Sequence, residues 1–171
     1  MAKRAYEVSS FNMGESFKMI EEKKLPEITI YTDGACLGNP GPGGWAAIIK
    51  GEKEYKEIWG GEKNTTNNRM ELTAIIEALK TLKSSHNVKL ITDSKYIYNA
   101  ITQKWLERWQ KNNWISSSKK KVKNRDLWEK ISELFKKHNI TIEWIPAHKG
   151  IKENERCDRL AKKAARQYKE S

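Results

Sequence analysis

Between Glu27 and Lys83 the hydrophobic period of the chain changes once, and that change restricts the fold more than any other feature. Residues 27–33, Glu-Ile-Thr-Ile-Tyr-Thr-Asp, alternate in the manner of a strand. Strand-like segments at 45–50 and 54–59 follow, the first of them after the turn formers Asn39-Pro-Gly-Pro-Gly-Gly44, and three such strands in succession predict an antiparallel meander. From 68 to 83 the repeat is helical, with Leu72, Ile75, Ile76, Leu79 and Leu82 on one face and Asn67 or Asn68 placed to cap the start. Short strands at 88–92 and 141–145 then alternate with helices at 94–101, 104–114, 126–137 and 153–168. Helical crossovers make strands one, four and five parallel. The expected class is α/β: a five-stranded mixed sheet, antiparallel meander 1-2-3 plus parallel strands 4 and 5, flanked by helices.

A chain of 171 residues, 37% hydrophobic and 32% charged, buries about 70% of the surface its unfolded form exposes and needs no disulfide or structural metal to hold a core. Cys36 and Cys157 form no CxxC or zinc-like spacing, and two thiols make no disulfide framework, which fits a reducing compartment. No run approaches the roughly 18 apolar residues of a membrane span, and the start of the chain lacks the apolar core of a secretory signal. The expectation is a cytoplasmic monomer with no membrane partner. Residues 1–26 are polar and mixed in charge, with Phe17, Met19, Ile20 and Leu25 sufficient for one short amphipathic helix at most. They read as an extension of unknown role on a domain covering 27–171, and a chain beginning near Glu27 is expected to fold and act normally.

The formal net charge of +11 is unevenly placed: residues 27–103 balance nine basic against nine acidic side chains, whereas 104–125 hold eight basic and one acidic. A concentrated patch points to a polyanion bound at a defined place, nucleic acid ahead of an anionic membrane. Within it Trp105, Trp109 and Trp114 are interleaved with the basic residues, the first two as i, i+4 neighbours on a helix. A helix packed through its indoles with a solvated basic face explains the same pattern, and both readings can hold together.

Asp33 ends the first strand and Asp93 follows the fourth, so both carboxylates lie at the carboxyl edge of a parallel pair, where open α/β sheets bind ligands. Glu71, early in the long helix, has Ala74, Ile75 and Ala78 at i+3, i+4 and i+7 and so borders the buried face, where a carboxylate needs a partner. Asp158 lies in the last helix beside Leu160 and Ala161. Carboxylates that converge without matching cations suit a divalent metal, Mg²⁺ above all, because it takes oxygen ligands and keeps waters that leave room for phosphate. Two such ions about 4 Å apart activate water and stabilise the leaving oxygen of a phosphodiester. Taken singly, each acid is equally a strand-end cap or a surface charge. The cysteines beside Asp33 and Asp158 are no ligands for so hard a cation; Cys157 reads as a core residue and Cys36 as a packing or groove-facing one.

The strings TDGACLGNPGPGGWA (32–46), TTNNRMEL (65–72), TDSKY (92–96), WLERWQKNNW (105–114), VKNRDLW (122–128) and ENERCDRLA (153–161) resemble, in order and over residues 27–168, the bacterial type 1 ribonuclease H family. The resemblance implies the ribonuclease H-like fold and an endonuclease that hydrolyses the RNA strand of RNA–DNA hybrids by a two-metal-ion mechanism. The products carry 3′-hydroxyl and 5′-phosphate ends, and the role is removal of primers and R-loops. Its four metal-holding acids fall on Asp33, Glu71, Asp93 and Asp158, with two Mg²⁺, or Mn²⁺, between them. The family's loop histidine, which helps proton transfer or product release, falls on His148 in PAHKG, where Ala147 stands in place of a frequent Gly. Residues 104–125 resemble the family's basic handle, with Trp105, Trp109 and Trp114 packing and bordering the DNA strand and lysines such as Lys119, Lys120 and Lys123 contacting phosphates. Recognition of the 2′-hydroxyl falls on Cys36, Asn39, Asn67, Asn68 and Glu71, and a phosphate pocket on Thr66. Lys95 replaces the Gln of the common TDSQ and turns a neutral groove contact into a cationic one. Two other readings stand beside this one: a hybrid-binding module without catalysis, or another nuclease of the same general fold.

Overall fold

The computed structural model describes residues 5–8 and 25–170. Six strands, β1 (Ala5–Val8), β2 (Glu27–Cys36), β3 (Gly41–Lys50), β4 (Tyr55–Thr65), β5 (Asn87–Thr92) and β6 (Asn139–Trp144), form one sheet in the order β1-β6-β5-β2-β3-β4. The helices are α1 (Asn67–Lys80), α2 (Lys95–Thr102), α3 (Trp105–Lys111), α4 (Arg125–Phe135) and α5 (Lys152–Glu170). β2, β5 and β6 run parallel and β2-β3-β4 form the antiparallel meander, so the five expected strands stand in their expected mixed arrangement. The alternation within β2 and the crossovers at α1 and at α2–α4 dictate this order.

β1 is an addition that the sequence pattern did not announce. It pairs antiparallel with β6, from Ala5 opposite Glu143 to Val8 opposite Ile140, and covers what would otherwise be the edge of the sheet. Part of the N-terminal extension therefore belongs to the sheet itself. The short helix allowed around Phe17, Met19 and Ile20 lies outside the described residues.

Each face of the sheet packs its own cluster. On one, Ile28, Ile30, Val88, Leu90, Ile140 and Ile142 meet Leu72, Ile75 and Leu79 of α1 and the fully buried Trp128 of α4. On the other, Ala46 and Ile48 meet Cys157, Leu160 and Ala161 of α5. The glycines at 43 and 44, read above as part of a turn, lie inside β3. α5 crosses so close that a Cβ on Gly44 would overlap the Ala161 carbonyl oxygen, so small residues there serve helix-on-sheet contact and not a bend.

Several helix ends differ from expectation: α1 stops at Lys80, short of Lys83, and α4 at Phe135, short of Lys137. α1 is capped by Thr66, extended at φ −127°, whose Oγ1 accepts from Arg69 N, and Asn67 and Asn68 are the first residues of the helix proper. The tryptophan-bearing helix stops at Lys111: Asn113 and Trp114 take left-handed φ of 52° and 61°, and a loop closed by an Ile115–Lys121 bridge leads on to α4.

A chain beginning at Glu27 keeps five strands but leaves β6 as an unpaired edge, which invites association through its free backbone groups. The expected outcome is a lower Tm, by about 2–4 °C for each kcal/mol lost, with concentration-dependent self-association on sizing chromatography; an unchanged Tm and a monodisperse elution would show that β1 contributes nothing.

Candidate active site

Asp33 reaches the cleft because β2 carries it past the pairing with β5, and Glu71 reaches it because α1 lies directly on the next residue. A Cβ on Gly34 would sit 2.5 Å from Glu71 N and 2.8 Å from the Met70 carbonyl carbon, so only glycine lets the helix come this close. Asp93 follows the last residue of β5, where Thr92 Oγ1 accepts from Ser94 N and the Trp144 indole donates to the Asp93 carbonyl at 3.1 Å. These backbone anchors bring one carboxylate oxygen from each of Asp33, Glu71 and Asp93 within 4.8 Å of the others.

Two of the three acids, Asp33 and Glu71, are buried and Asp93 is half-buried, and the group has no cation of its own. Asp33 and Glu71 are each 4% exposed, and no ion pair among the described residues involves any of the three. Burial, then the charge of Asp93, pushes Asp33 up to about 7, against the pull of hydrogen bonds from Glu71 and Gly34 N. Burial and the charges of Asp33 and Asp93 drive Glu71 well above its ordinary value. Asp93 is raised by burial and by Asp158 and lowered by its own backbone, His148 and the side-chain amide of Asn154. Glu71 Oε2 is buried with no hydrogen-bond partner. An orphan acceptor on a carboxylate whose charged form burial disfavours fits a divalent cation, which would stabilise that charge and give the oxygen its missing partner.

The fourth expected acid, Asp158, stands apart from that group. Its carboxylate pairs with Lys162 at 3.0 Å along α5, yet its charge still raises both Asp33 and Asp93. His148 is exposed on the loop after β6, at a left-handed φ of 56°, near enough to Asp93 to stabilise its charge. Sequence reasoning passed over Asn154, which is buried, binds Asp93 through its amide and leaves its own Oδ1 unpartnered. Its signal was its place four residues before Asp158, on the same face of α5. Gly34, hidden in TDG, was the other omission.

The expected substrate residues fall into two places. Cys36, Asn39, Thr66, Asn67 and Asn68 gather at the mouth between β2 and α1: Asn39 Oδ1 accepts from Asn67 N at 3.0 Å, and the Cys36 thiol donates to the Gly41 and Thr65 carbonyls at 3.5 and 3.4 Å. Lys95 is exposed, its Nζ 5.0 Å above the Trp144 ring. In the handle, Lys119, Lys120 and Lys123 are exposed, whereas Trp105 and Trp109 are half-buried, 6.3 Å apart, and packed on the core. Trp114 is buried, with the Arg125 guanidinium 5.4 Å from its ring.

The family model described as RNase H matches residues 26–166. Among curated relatives, a Ribonuclease H of Nitratidesulfovibrio vulgaris (strain DP4) is 52% identical over 139 residues, 81% of this chain and 89% of its own length. One of Trichodesmium erythraeum (strain IMS101) is 53% identical over 143 residues, 84% of this chain and 91% of its own. Among solved structures, LC9-RNase H1, a type 1 RNase H with the type 2 active-site motif, superposes with a TM-score of 0.75 at 29% identity over 84% of this chain and 74% of its own. LC11-RNase H1 in complex with an RNA/DNA hybrid does so with a TM-score of 0.58 at 27% identity over 82% and 97%.

The raised Asp33 sets a pH dependence. Between the ordinary value of 3.8 and about 7 the unfolded chain releases a proton that the folded one keeps, so the metal-free protein loses stability as pH rises through that range. Mg²⁺ is expected to reverse the loss, and Asp33→Asn to raise the metal-free Tm at pH 8 while removing much of the Mg²⁺ effect. Thermal melts at pH 5 and pH 8 with and without Mg²⁺ check this; a Tm indifferent to the metal in the unaltered protein contradicts it.

Proposed function

The chain belongs to the ribonuclease H family of enzymes, and on that premise we propose that it is an endonuclease hydrolysing the RNA strand of RNA–DNA hybrids, leaving 3′-hydroxyl and 5′-phosphate ends. The observation that carries this reading is the cluster of buried Asp33 and Glu71 with half-buried Asp93, and its orphan Glu71 oxygen. A relative of known structure that binds an RNA/DNA hybrid supports the substrate class. Asp33, Glu71 and Asp93, with Asp158 at the rim, would hold two Mg²⁺ or Mn²⁺ ions. Bound there, divalent cations supply a water of lowered pKa and charge stabilisation for the leaving oxygen.

The chain's own residues do the rest. Burial disfavours the charged forms of Asp33 and Glu71, and a bound cation would favour them. His148, exposed on the loop after β6 and close to Asp93, is placed to assist proton transfer or product release. Cys36, Asn39, Asn67 and Asn68 form a polar rim beside Glu71, suited to the 2′-hydroxyl of a wide minor groove, and Thr66 offers a phosphate contact at the amino end of α1. Lys119, Lys120 and Lys123 grip phosphates, with Lys95 as a further cation at the rim. Trp114 supports the handle from within, while Trp105 and Trp109 keep exposed edges that border the DNA strand. In domain terms, residues 27–171 are the ribonuclease H domain, with the handle at about 104–125, and 1–26 is an extension of which Ala5–Val8 joins the sheet. The cellular role that suits this activity is removal of RNA primers and R-loops during DNA replication in the cytoplasm.

An end-labelled RNA–DNA hybrid incubated with Mg²⁺, Mn²⁺ or EDTA tests the reading. Cutting of the RNA strand alone, only with metal, and not of duplex DNA or duplex RNA, is expected, and Asp33→Asn should abolish it while hybrid affinity persists. Replacing Lys119, Lys120 and Lys123 with alanine should raise KM and flatten the salt dependence, by about 0.9 log units per log unit of salt for each phosphate contact in a B-form duplex, with kcat at saturation little changed. Cutting of duplex DNA, or full turnover in EDTA, would refute the assignment.

A further inference from the structure

Glu71 and the basic handle act on one substrate from different elements, and a single side chain links them. Arg69 lies three residues after the Thr66 cap and two before Glu71. Its guanidinium reaches the start of α4, donating to the two carboxylate oxygens of Asp126 at 3.0 and 2.7 Å and to Asn124 Oδ1 at 3.4 Å. Asn124 is the point where the handle ends: its left-handed φ of 63° turns the loop into α4. The Asn124 amide donates in turn to the Tyr96 hydroxyl at 3.5 Å, which also accepts the Trp128 indole N–H at 3.0 Å. Trp128 is fully buried and meets Tyr96 and Trp109 edge-on, with centroids 5.9 and 5.7 Å away. One connected network therefore joins the catalytic helix, the exit of the handle, α2 and α3.

An exposed ion pair of this kind adds little to stability by itself. Its two-pronged geometry, however, fixes distance and angle together, which a lysine at the same place cannot do. We propose that Arg69 is a positioning residue which, by locking the handle's exit to the first turns of the helix bearing Glu71, sets how far along the hybrid the cut falls from the gripped phosphates. This rests on the ribonuclease H reading. The physical reason is that displacement of a reacting group by about 1 Å costs up to ~100-fold in rate, so grip and cut must share a rigid reference.

The test compares Arg69→Ala, Arg69→Lys, Asp126→Asn and the Arg69→Ala/Asp126→Asn double variant on an end-labelled hybrid. It reads cleavage positions, KM, kcat at saturation and Tm, at a temperature where all are folded. The alanine and asparagine variants are expected to spread cleavage over neighbouring positions and raise KM by roughly three- to tenfold. The double variant should be no worse than either single one, because coupled residues are non-additive, and the lysine variant should keep charge but recover only part of the narrow pattern. Wild-type cleavage positions and KM in the variants, even with a lowered Tm, overturn the proposal and leave Arg69 a merely structural residue. Absence of any cutting by the unaltered chain overturns the ribonuclease H reading and this one with it, and is distinguishable because it appears before any substitution is made.

Discussion

Mutual repulsion among buried carboxylates is the constraint from which the rest of the cleft follows. Left to itself, such a group would move apart or keep its protons. Asp33 and Asp93 cannot move apart, because adjacent parallel strands hold their backbones. Glu71 cannot swing away, because α1 rests on Gly34 with no room to spare, its start fixed by the Thr66 cap. Asn154 and the Trp144 indole hold Asp93 at its side chain and at its carbonyl. Packing on the two faces of the sheet offsets the unfavourable charge and makes the arrangement persist. Geometry maintained against electrostatics is pre-organised for a cation, since none of the reorganisation needed to gather the ligands is left to the binding event.

How much of this was legible in the sequence depended on whether the signal was local. The alternation of Glu27–Asp33 and the helical repeat from Leu72 to Leu79 describe single elements, and both appear in the structure at those places. Asp93 announced its location because an acid that follows the end of a parallel strand lies at the ligand-binding edge. Asp33, expected to end its strand, lies inside β2, which runs on to Cys36, and reaches that edge because the pairing with β5 stops at Tyr31. Convergence is a different matter. That Glu71 is fully buried, not only bordering the core, depends on Gly34, and nothing in a single sequence distinguishes a glycine that accommodates a helix from one that makes a turn. The same ambiguity hid Gly43 and Gly44 inside β3, because Asn-Pro-Gly-Pro-Gly-Gly reads as a turn until α5 is laid across it. β1 was illegible for a third reason. Four residues carry too short a pattern to stand out, and an edge strand is defined by its neighbour more than by its own side chains.

The tryptophans show where local pattern and tertiary position part. The i, i+4 spacing correctly set Trp105 against Trp109, but the helix ends before Trp114, whose left-handed backbone turns its ring inward under Arg125. The basic loop that follows is thus mounted on an aromatic foundation continuous with the main core through Trp128. Lysines displayed on such a base stay exposed while the loop beneath them is anchored, which suits the proposed grip on a stiff duplex.

Charge placement explains why that attachment has to be mechanical. Screening at physiological salt acts over about 8 Å, so exposed charges separated by more than that are weakly coupled through solvent. Bringing cations closer would defeat the site, because a lysine or arginine among Asp33, Glu71 and Asp93 would occupy the role of the metal. Arg69 is the cation nearest to Glu71 in sequence, and its guanidinium is engaged by Asp126 on another helix. Its charge is thereby removed from the cleft at the same time as its geometry ties the cleft to the handle. On the proposed function, the balance of residues 27–103 and the surplus in 104–125 are two sides of one requirement: an acidic centre left without a cation of its own and a cationic surface apart from it, with Arg69 as the proposed connection between them.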